Sequence, residues 1–259
     1  MHTNVNPYRK KVFTLIALLV IPLAARAGVS HQAFDEILSA CVHDGRVHYG
    51  TLRGLEPALD RYLATLASAK PESLETPEER KAFWINAYNA CVLKNVLDAY
   101  PISRPSDVSG FFDIRRRKLM GLGLTLDDIA TDKLRTFRDP RLLCALSCGA
   151  LGGPAPRAHA WSSASLGLDL DAAVRELLSD PVRGASIAMD GTLMLNALFR
   201  RYAKEFGGDE GVLHFIHENA PKTISERAGA SPPPKVAYLE FDWTLNAAEL
   251  VGVKRLQLW

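Results

Sequence analysis

The sequence lacks the short motifs that identify the common nucleotide-binding proteins and zinc proteases. The glycines at 149, 152 and 153 are not followed by a lysine and a serine or threonine, and they do not form a G-x-G-x-x-G pattern, so no phosphate-binding loop is predicted. His214 and His217 precede Glu218, which differs from the HExxH order and favours a partly exposed helical face. We therefore predict no cofactor and no metal site.

The sequence also lacks an uninterrupted apolar run of the roughly 20 residues that a membrane-spanning helix needs. Its longest apolar stretch, at 12–24, follows the basic residues at 9–11 and precedes an A-x-A sequence at 25–27. This order is typical of a secretory signal peptide, and we expect cleavage between Ala27 and Gly28. The mature protein is then expected in the periplasm or outside the cell, with no stable membrane insertion.

An excess of positive charge is absent once this leader is removed. The first 27 residues carry four basic side chains and no acidic one, so the formal net charge falls from +2 to −2. The basic run at 115–118 has no interleaved aromatic residues and is interpreted as a solvated loop or strand edge, with an anionic ligand as the alternative. Nothing in this charge distribution supports a nucleic-acid partner. The expected partner is an unidentified small molecule or an envelope protein.

Cysteine is scarce, and the spacing is not that of a small disulfide-rich protein. The four cysteines are Cys41, Cys91, Cys144 and Cys148. The sequence does not choose among the pairings that four cysteines allow. Cys144 and Cys148 would lie about 13 Å apart on an extended strand, which is too far for a disulfide. We expect buried free thiols for at least Cys91 and Cys144.

The residues that are present have the composition of a globular protein, with 47% hydrophobic and 23% charged. A chain of this length is expected to form one domain, and no internal repeat divides it. We predict an N-terminal helical segment at 28–70 and a core domain at 71–259. The predicted fold class is α+β, a mainly helical single domain around a small β-sheet.

Short apolar runs and turn signals predict the elements of that core. Asp190 and Gly191 stand between two apolar runs, which is a strong signal for a β-hairpin. A final strand is predicted at 236–241. The run RLLCALSC at 141–148 is interpreted as a buried strand, although its length is also compatible with a helix. A capped helix is predicted from 125 to about 136.

The most informative segment is a long core helix that carries two asparagines. Thr76 and Pro77 predict its start, and Pro101 predicts its end. Asn86 and Asn89 lie one turn apart among apolar residues. A buried side-chain amide without partners costs about 1–3 kcal/mol. We therefore expect both amides to bind backbone groups of the segment at 141–148 or the segment at 238–246.

Four motifs of this sequence resemble, in order, the successive motifs of the domain of unknown function 547 (DUF547) family. They are FWINAYNA at 83–90, LTLDDI at 124–129, DPRLLCALSCGA at 139–150 and YLEFDWTLN at 238–246. Val47, His48 and Tyr49 fit the N-terminal block of the family less specifically. The family occurs in secreted and envelope proteins of bacteria, and its activity is unassigned. The family also occurs within larger eukaryotic proteins, so the resemblance implies the domain, and it implies no activity.

The sequence departs from the pattern of the family at several polar positions. Ala130 and Thr131 stand where the family usually has a glutamate and a histidine, and Leu143 stands where it commonly has a histidine. The serine-cysteine-proline step of the family appears here as glycine-glycine-proline at 152–154, so only Cys148 matches. If those polar residues form a reactive centre, this chain has lost two histidines and a cysteine from it.

Two functions of different classes follow from these observations. The first is a non-catalytic binding or structural domain in the envelope, which the missing polar residues favour. The alternative is a cysteine-dependent hydrolase or transferase. In that hypothesis Cys148 is the nucleophile, His159 is the base, and Asn86 or Asn89 orients the imidazole.

Three residues are candidates for binding: Asn89, Tyr88 and Asp242. Tyr88 follows Trp84 by one helical turn, a spacing that is more often found in a core than in a sugar-stacking surface. Asp242 precedes Trp243 in the C-terminal segment, and we interpret it as an anchor for the asparagine helix rather than as a catalytic carboxylate.

Overall fold

The computed structural model of the protein describes residue 1 and residues 28–248, so the predicted leader lies outside the described residues apart from Met1. The described α-helices are α1 (Gln32–Cys41), α2 (Tyr49–Gly54), α3 (Glu56–Ser68), α4 (Pro77–Ala99), α5 (Leu126–Asp128), α6 (Leu166–Ser179), α7 (Ala197–Arg201), α8 (Gly208–Asn219) and α9 (Lys222–Ala228). The strands are β1 (Val42–His43), β2 (Arg46–Val47), β3 (Arg117–Leu119), β4 (Leu122–Leu124), β5 (Ala185–Ile187), β6 (Leu193–Leu195) and β7 (Val236–Tyr238). This is a mainly helical α+β domain, as the sequence predicts.

Helix α4 forms the centre of the molecule and has the predicted ends. The Thr76 hydroxyl accepts a hydrogen bond from the Glu79 N–H at 3.1 Å, and the Glu79 carboxylate accepts one from the Thr76 N–H at 2.9 Å. Pro77 occupies the first turn, where a missing N–H costs nothing. Buried residues surround most of the helix from Ala82 to Leu97, so it is packed on several sides.

Helices α1 to α3 and the hairpins β1–β2 and β3–β4 pack around α4 in a first hydrophobic cluster. In this cluster Phe34 of α1 stacks on Tyr62 of α3, with ring centroids 4.8 Å apart. The C-terminal part of the described chain returns to the same cluster. There the Val47 N–H donates to the Asn246 carbonyl and the Tyr49 hydroxyl donates to the Asn246 side chain, each at 2.9 Å.

A second cluster contains a three-stranded sheet with the order β5-β6-β7. Strands β5 and β6 form the predicted antiparallel hairpin, and its turn contains Gly191 at φ 79°, a value that favours glycine. Strand β7 pairs with β6 in parallel and is shorter than the predicted 236–241. Helices α6 and α9 pack on this sheet, and α8 packs against both of these helices.

The prediction of a strand at 141–148 is wrong, because Pro140–Ala145 forms a 3₁₀-helix. Pro140 pre-sets the backbone of the first turn, and the Asp139 carboxylate accepts a hydrogen bond from the Arg141 N–H at 3.3 Å. An apolar run alone carries no period that separates a strand from a buried helical turn. The chain becomes extended at Leu146 and leads from there to Cys148.

The helix predicted at 125–136 is present but changes type along its length. Thr125 and Asp128 form its capping box, the π-helical segment Ile129–Leu134 follows, and the 3₁₀-helix Arg135–Phe137 completes it. The Thr131 hydroxyl donates to the Asp127 carbonyl at 2.8 Å, which competes with the α-helical hydrogen bonding at that carbonyl. π-Helical segments often occur at functional sites, and this one lines a cavity.

Candidate functional site

The asparagines of α4 fasten three separate loops to the central helix. The Asn89 amide donates to the Ala145 carbonyl and accepts from the Ser147 N–H, each at 3.0 Å, which confirms the predicted contact with the segment at 141–148. Asn86 makes the same pair of bonds with the backbone of Trp161, each at 2.9 Å, so its predicted partner is wrong. Asn89, three residues further along the helix, binds the segment at 141–148 instead.

Asn95 is a third asparagine of this kind, and the sequence analysis missed it. It is fully buried, donates to the Phe111 carbonyl at 3.0 Å and accepts from Arg117 at 2.9 Å. The signal was the same as for Asn86, a polar amide within an apolar helix. These bonds satisfy loop backbone and give the asparagines a positioning role.

Asn89 binds the segment that leads to Cys148, and Cys148 lines a cavity of about 260 Å³. We name it the Cys148 cavity. Its wall includes five aromatic residues: Tyr88, Phe112, Tyr202, Phe241 and Trp243. Leucines complete the apolar surface: Leu143, Leu146 and Leu198. Leu143 stands where the DUF547 resemblance implies a histidine, so an apolar side chain occupies the wall at that position.

Two glycines allow the backbone to pass close to this wall. A β-carbon at Gly153 would lie 2.8 Å from the Cys148 sulfur, and one at Gly152 would lie 2.6 Å from the Asp242 nitrogen. Neither distance leaves room for a side chain without movement. The glycines at 152 and 153 thus allow the backbone to pack closely against Cys148 and Asp242. This packing explains why the sequence has two adjacent glycines here although they fit no phosphate-binding motif.

The thiol of Cys148 is held in its protonated form. Cys148 is half-buried, whereas Cys41, Cys91 and Cys144 are buried, and all four cysteines are free. Burial raises the pKa of Cys148 above its ordinary value, although a hydrogen bond from the Ala150 backbone and the charge of Arg201 oppose the shift. Reactive cysteines have a lowered pKa. Cys148 has the opposite perturbation.

Histidine is absent from the described wall of the Cys148 cavity. The structure places His159 elsewhere, exposed to solvent, with its Nδ1 atom 3.6 Å from an Asp35 carboxylate oxygen. His159 and Asn89 line a separate cavity of about 20 Å³. The structure therefore brings Tyr88 to Cys148 but does not bring the nucleophile, base and orienting amide of the enzyme hypothesis to one site.

Asp242 lies on the exposed C-terminal segment, where its carboxylate accepts a hydrogen bond from the Thr244 N–H at 2.9 Å. The neighbouring residues Phe241 and Trp243 face the Cys148 cavity, and their ring centroids are 4.5 Å apart. Trp243 also contacts Phe112, with centroids 5.9 Å apart. The sequence analysis singled out this segment but chose its carboxylate rather than its aromatic rings.

The mouth of the Cys148 cavity carries more positive than negative charge. Arg201 lies 3.8 Å from Asp127, and both side chains are partly exposed to solvent. Arg200 stacks over Tyr238 at 5.4 Å, and within residues 28–248 no carboxylate lies in ion-pair distance of it. The lining therefore contains two arginines and one aspartate. No local motif marks Arg200, Arg201 or Tyr202 in the sequence, so the analysis missed them.

Neither a cluster of metal-binding side chains nor a membrane-spanning helix is found in the part of the chain that the structure describes. Within residues 28–248, no group of three or more histidine, cysteine, aspartate or glutamate side chains is arranged to hold a metal ion. The His217 Nδ1 atom lies 3.0 Å from the Ser225 carbonyl. Among the same residues, no helix combines the length and apolar character needed to cross a membrane.

Comparison with known families gives one match. Residues 71–178 match the family model described as "Protein of unknown function, DUF547". The chain carries a DUF547 domain. The matched segment includes α4, the π-helical segment and Cys148, and it ends within α6. No curated protein and no solved structure matches the chain.

The Cys148 cavity lies where the DUF547 segment meets the rest of the chain. The DUF547 segment supplies Tyr88, Phe112 and Cys148. Residues beyond that segment supply the cations and the remaining rings: Arg200, Arg201, Tyr202, Phe241 and Trp243. The positive charge at the mouth thus comes from a part of the chain that the family model does not cover.

Proposed function

We propose that this chain is an exported envelope protein whose DUF547 domain binds a small amphipathic anion in the Cys148 cavity and does not turn it over. The ligand class is a molecule with a flat apolar body and one negatively charged group. The observation that carries the proposal is the combination of an aromatic wall with an excess of positive charge at the mouth.

The size and lining of the cavity favour such a ligand. Small-molecule sites typically have volumes of roughly 300–1,000 Å³, are mostly apolar, and carry a few polar groups that fix orientation. The Cys148 cavity, at about 260 Å³, lies just below that range and suits a small ligand. Burial raises the pKa of Tyr88 and of Tyr202, so both phenols stay protonated and can donate hydrogen bonds near neutral pH.

The surroundings of Cys148 favour binding over covalent chemistry. A thiol nucleophile needs a nearby base or a lowered pKa. The described wall offers no histidine, and the pKa of Cys148 is raised by burial. Leu143 replaces a polar residue that the DUF547 resemblance implies. These observations support a domain that has a ligand cavity but lacks the histidine base and the lowered thiol pKa that a covalent reaction at Cys148 would need.

The N-terminal sequence supports the envelope location. A basic segment, an apolar stretch at 12–24 and an A-x-A sequence have the order of a secretory signal peptide. The proposal requires cleavage, so Edman sequencing of the protein isolated from its cells should begin at Gly28. A mature chain that still begins at Met1 would reject export by this route.

A fluorescence titration with dansylglycine tests the binding proposal. This probe joins a naphthalene ring to a carboxylate, and its emission rises when the ring leaves water. We expect saturable binding that weakens about tenfold in Arg201→Gln, because a charge-assisted hydrogen bond is lost. Arg201 is partly exposed and its carboxylate partner is distant, so this change is expected to leave stability nearly unaltered.

Lys118→Gln is the matched control, since it removes the same charge from an exposed site outside the cavity. Its affinity for dansylglycine should equal that of the unaltered protein. An equal loss in both variants would attribute binding to net charge. Failure of the unaltered protein to bind the probe would reject the proposal.

A further inference from the structure

A second cavity of about 540 Å³ adjoins the Cys148 cavity. We name it the Arg138 cavity. The two cavities share two wall residues, Leu143 and Tyr202, which therefore form the partition between them. Leu143 is buried and Tyr202 is half-buried. A ligand that passes this partition would occupy both cavities.

The floor of the Arg138 cavity is apolar, and its edge is cationic. Leu134, Leu142 and Phe206 supply buried apolar surface. Both acids in the wall are already paired: Glu205 with Arg135 at 2.5 Å, and Asp139 with Arg141 at 2.8 Å. The two carboxylates of this cavity are thus neutralised by the arginines that pair with them.

Two cations of the same wall have no such partner. Within residues 28–248, no carboxylate oxygen lies in ion-pair distance of Arg138 or Lys204, and both side chains are exposed. The cavity therefore offers two uncompensated positive charges above an apolar floor. This charge pattern complements an anionic group at the end of an apolar chain.

The backbone at Arg138 gives an independent reason to assign it a role. Arg138 has φ 52° and ψ 34°, a left-handed conformation that costs a non-glycine residue about 1–2 kcal/mol. Glycine would hold this position after the 3₁₀-helix without strain. Strained residues cluster at functional sites. An arginine here forgoes stability that a glycine would give, and its guanidinium lies at the edge of the cavity.

We infer that the two cavities form one composite site for an elongated amphipathic anion. A short ligand keeps its anionic group at the mouth, beside Arg201. In an elongated ligand the flat apolar group occupies the Cys148 cavity, the chain crosses the partition of Leu143 and Tyr202, and the anionic group ends between Arg138 and Lys204. This inference rests on the proposed function, since it names the shape of the ligand that the same site takes.

Two dansyl probes that differ in chain length test the composite site. The ring of dansylglycine occupies the Cys148 cavity and its carboxylate reaches only the mouth, whereas dansylaminoundecanoate carries the same ring and the same carboxylate on a long alkyl chain. We expect the long probe to bind the unaltered protein about tenfold more tightly, because the added chain buries apolar surface. The short probe serves as the internal reference for the Cys148 cavity.

Arg138→Gly and Lys204→Gln separate binding from folding. Arg138→Gly removes the charge and relieves the backbone strain, so the melting temperature should stay equal or rise. Each variant is expected to weaken the long probe about tenfold and to leave the short probe unchanged. Lys118→Gln is the control for net charge and should bind both probes normally.

The outcomes distinguish this inference from the proposed function. Equal affinity for the two probes, or a long-probe affinity that survives both substitutions, would overturn the composite site and leave the Cys148 cavity intact. Absence of binding for both probes would overturn the two proposals together. An equal loss in Lys118→Gln would assign the effect to net charge and overturn the role of Arg138 and Lys204.

Discussion

Cys148 illustrates how its surroundings decide what a side chain can do. The sequence places it before a glycine-rich segment, which suggests an exposed nucleophile. The structure keeps it half-buried beside Tyr88 and Gly153, without a histidine in the described wall. The same residue that would be a nucleophile beside an imidazole is here a small apolar part of a cavity wall.

The pH dependence of alkylation tests this environment. Because burial raises the pKa of Cys148, the thiolate fraction stays small near neutral pH and grows as the pH rises toward that raised pKa. The rate of labelling by iodoacetamide should therefore increase about tenfold per pH unit from about pH 6 to about pH 9. Mass spectrometry of the labelled peptide measures the rate at this cysteine.

Cys148→Ser provides the background for that experiment. The other cysteines are buried, and burial raises the pKa of Cys41, of Cys91 and of Cys144 to about 12. They should contribute almost no labelling in the folded protein. A rate for Cys148 that reaches its plateau below about pH 7 would indicate a stabilised thiolate and would support the enzyme alternative.

Helix α4 organises the domain through its polar residues as much as through its apolar ones. Asn86, Asn89 and Asn95 each exchange hydrogen bonds with chain outside the helix. Loops of this kind have no regular partners of their own, and their buried backbone groups need side-chain partners. The helix therefore positions the Cys148 segment and the Trp161 segment at once.

Asn86→Ala should destabilise the protein by about 1–3 kcal/mol, because it leaves the buried N–H and carbonyl of Trp161 without the side chain that now binds them. Chemical denaturation followed by circular dichroism measures the change in the free energy of unfolding. Asn219→Ala is the matched control, since its partly exposed amide binds only the Phe215 carbonyl of its own helix. Equal stability of the two variants would refute the anchoring role of Asn86.

The sequence predicts elements well where the signal is local. The ends of α4 follow from Thr76, Glu79 and Pro101, which act within a few residues of themselves. The hairpin is likewise predicted by a local signal, the adjacent residues Asp190 and Gly191. The 3₁₀-helix at Pro140–Ala145 was mistaken for a strand because an apolar run shows burial without showing which backbone geometry is buried.

The candidate site could be predicted only in part, because its residues meet through tertiary structure. The partner of Asn86 lies 75 residues away along the chain. Arg201 and Tyr202 have no motif, and they become part of a site only when α7 packs beside Cys148. Cys148 and Tyr88 were found because they belong to recognisable motifs. Contacts between residues that are far apart along the chain could not be predicted from the sequence.

At the scale of the molecule, the DUF547 segment is one part of a larger folding unit. Residues 71–178 contain α4, yet α1 and α3 from outside that range supply Phe34 and Tyr62 to the same hydrophobic cluster. Asn246 closes the cluster through its bonds to Val47 and Tyr49. The segment that matches the family therefore does not contain the whole hydrophobic core. Residues on either side of this segment complete the core.

A fragment of residues 71–178 should accordingly fail to fold by itself. Removal of the flanking residues exposes the buried faces of α4, including Phe83 and Ile85. We expect a gradual thermal profile by circular dichroism for this fragment and a cooperative transition for residues 28–248. A cooperative transition in the short fragment would show that it is an autonomous domain.

The walls of the Cys148 cavity come from stretches of chain that are distant in sequence and meet only in the native state. Any molecule held there binds the folded chain and not the unfolded one. Occupancy at a hundredfold excess over the dissociation constant would add about 2.7 kcal/mol to the free energy of unfolding. A bound molecule would thus also stabilise the native fold. The amount of intact protein would then report the concentration of its ligand.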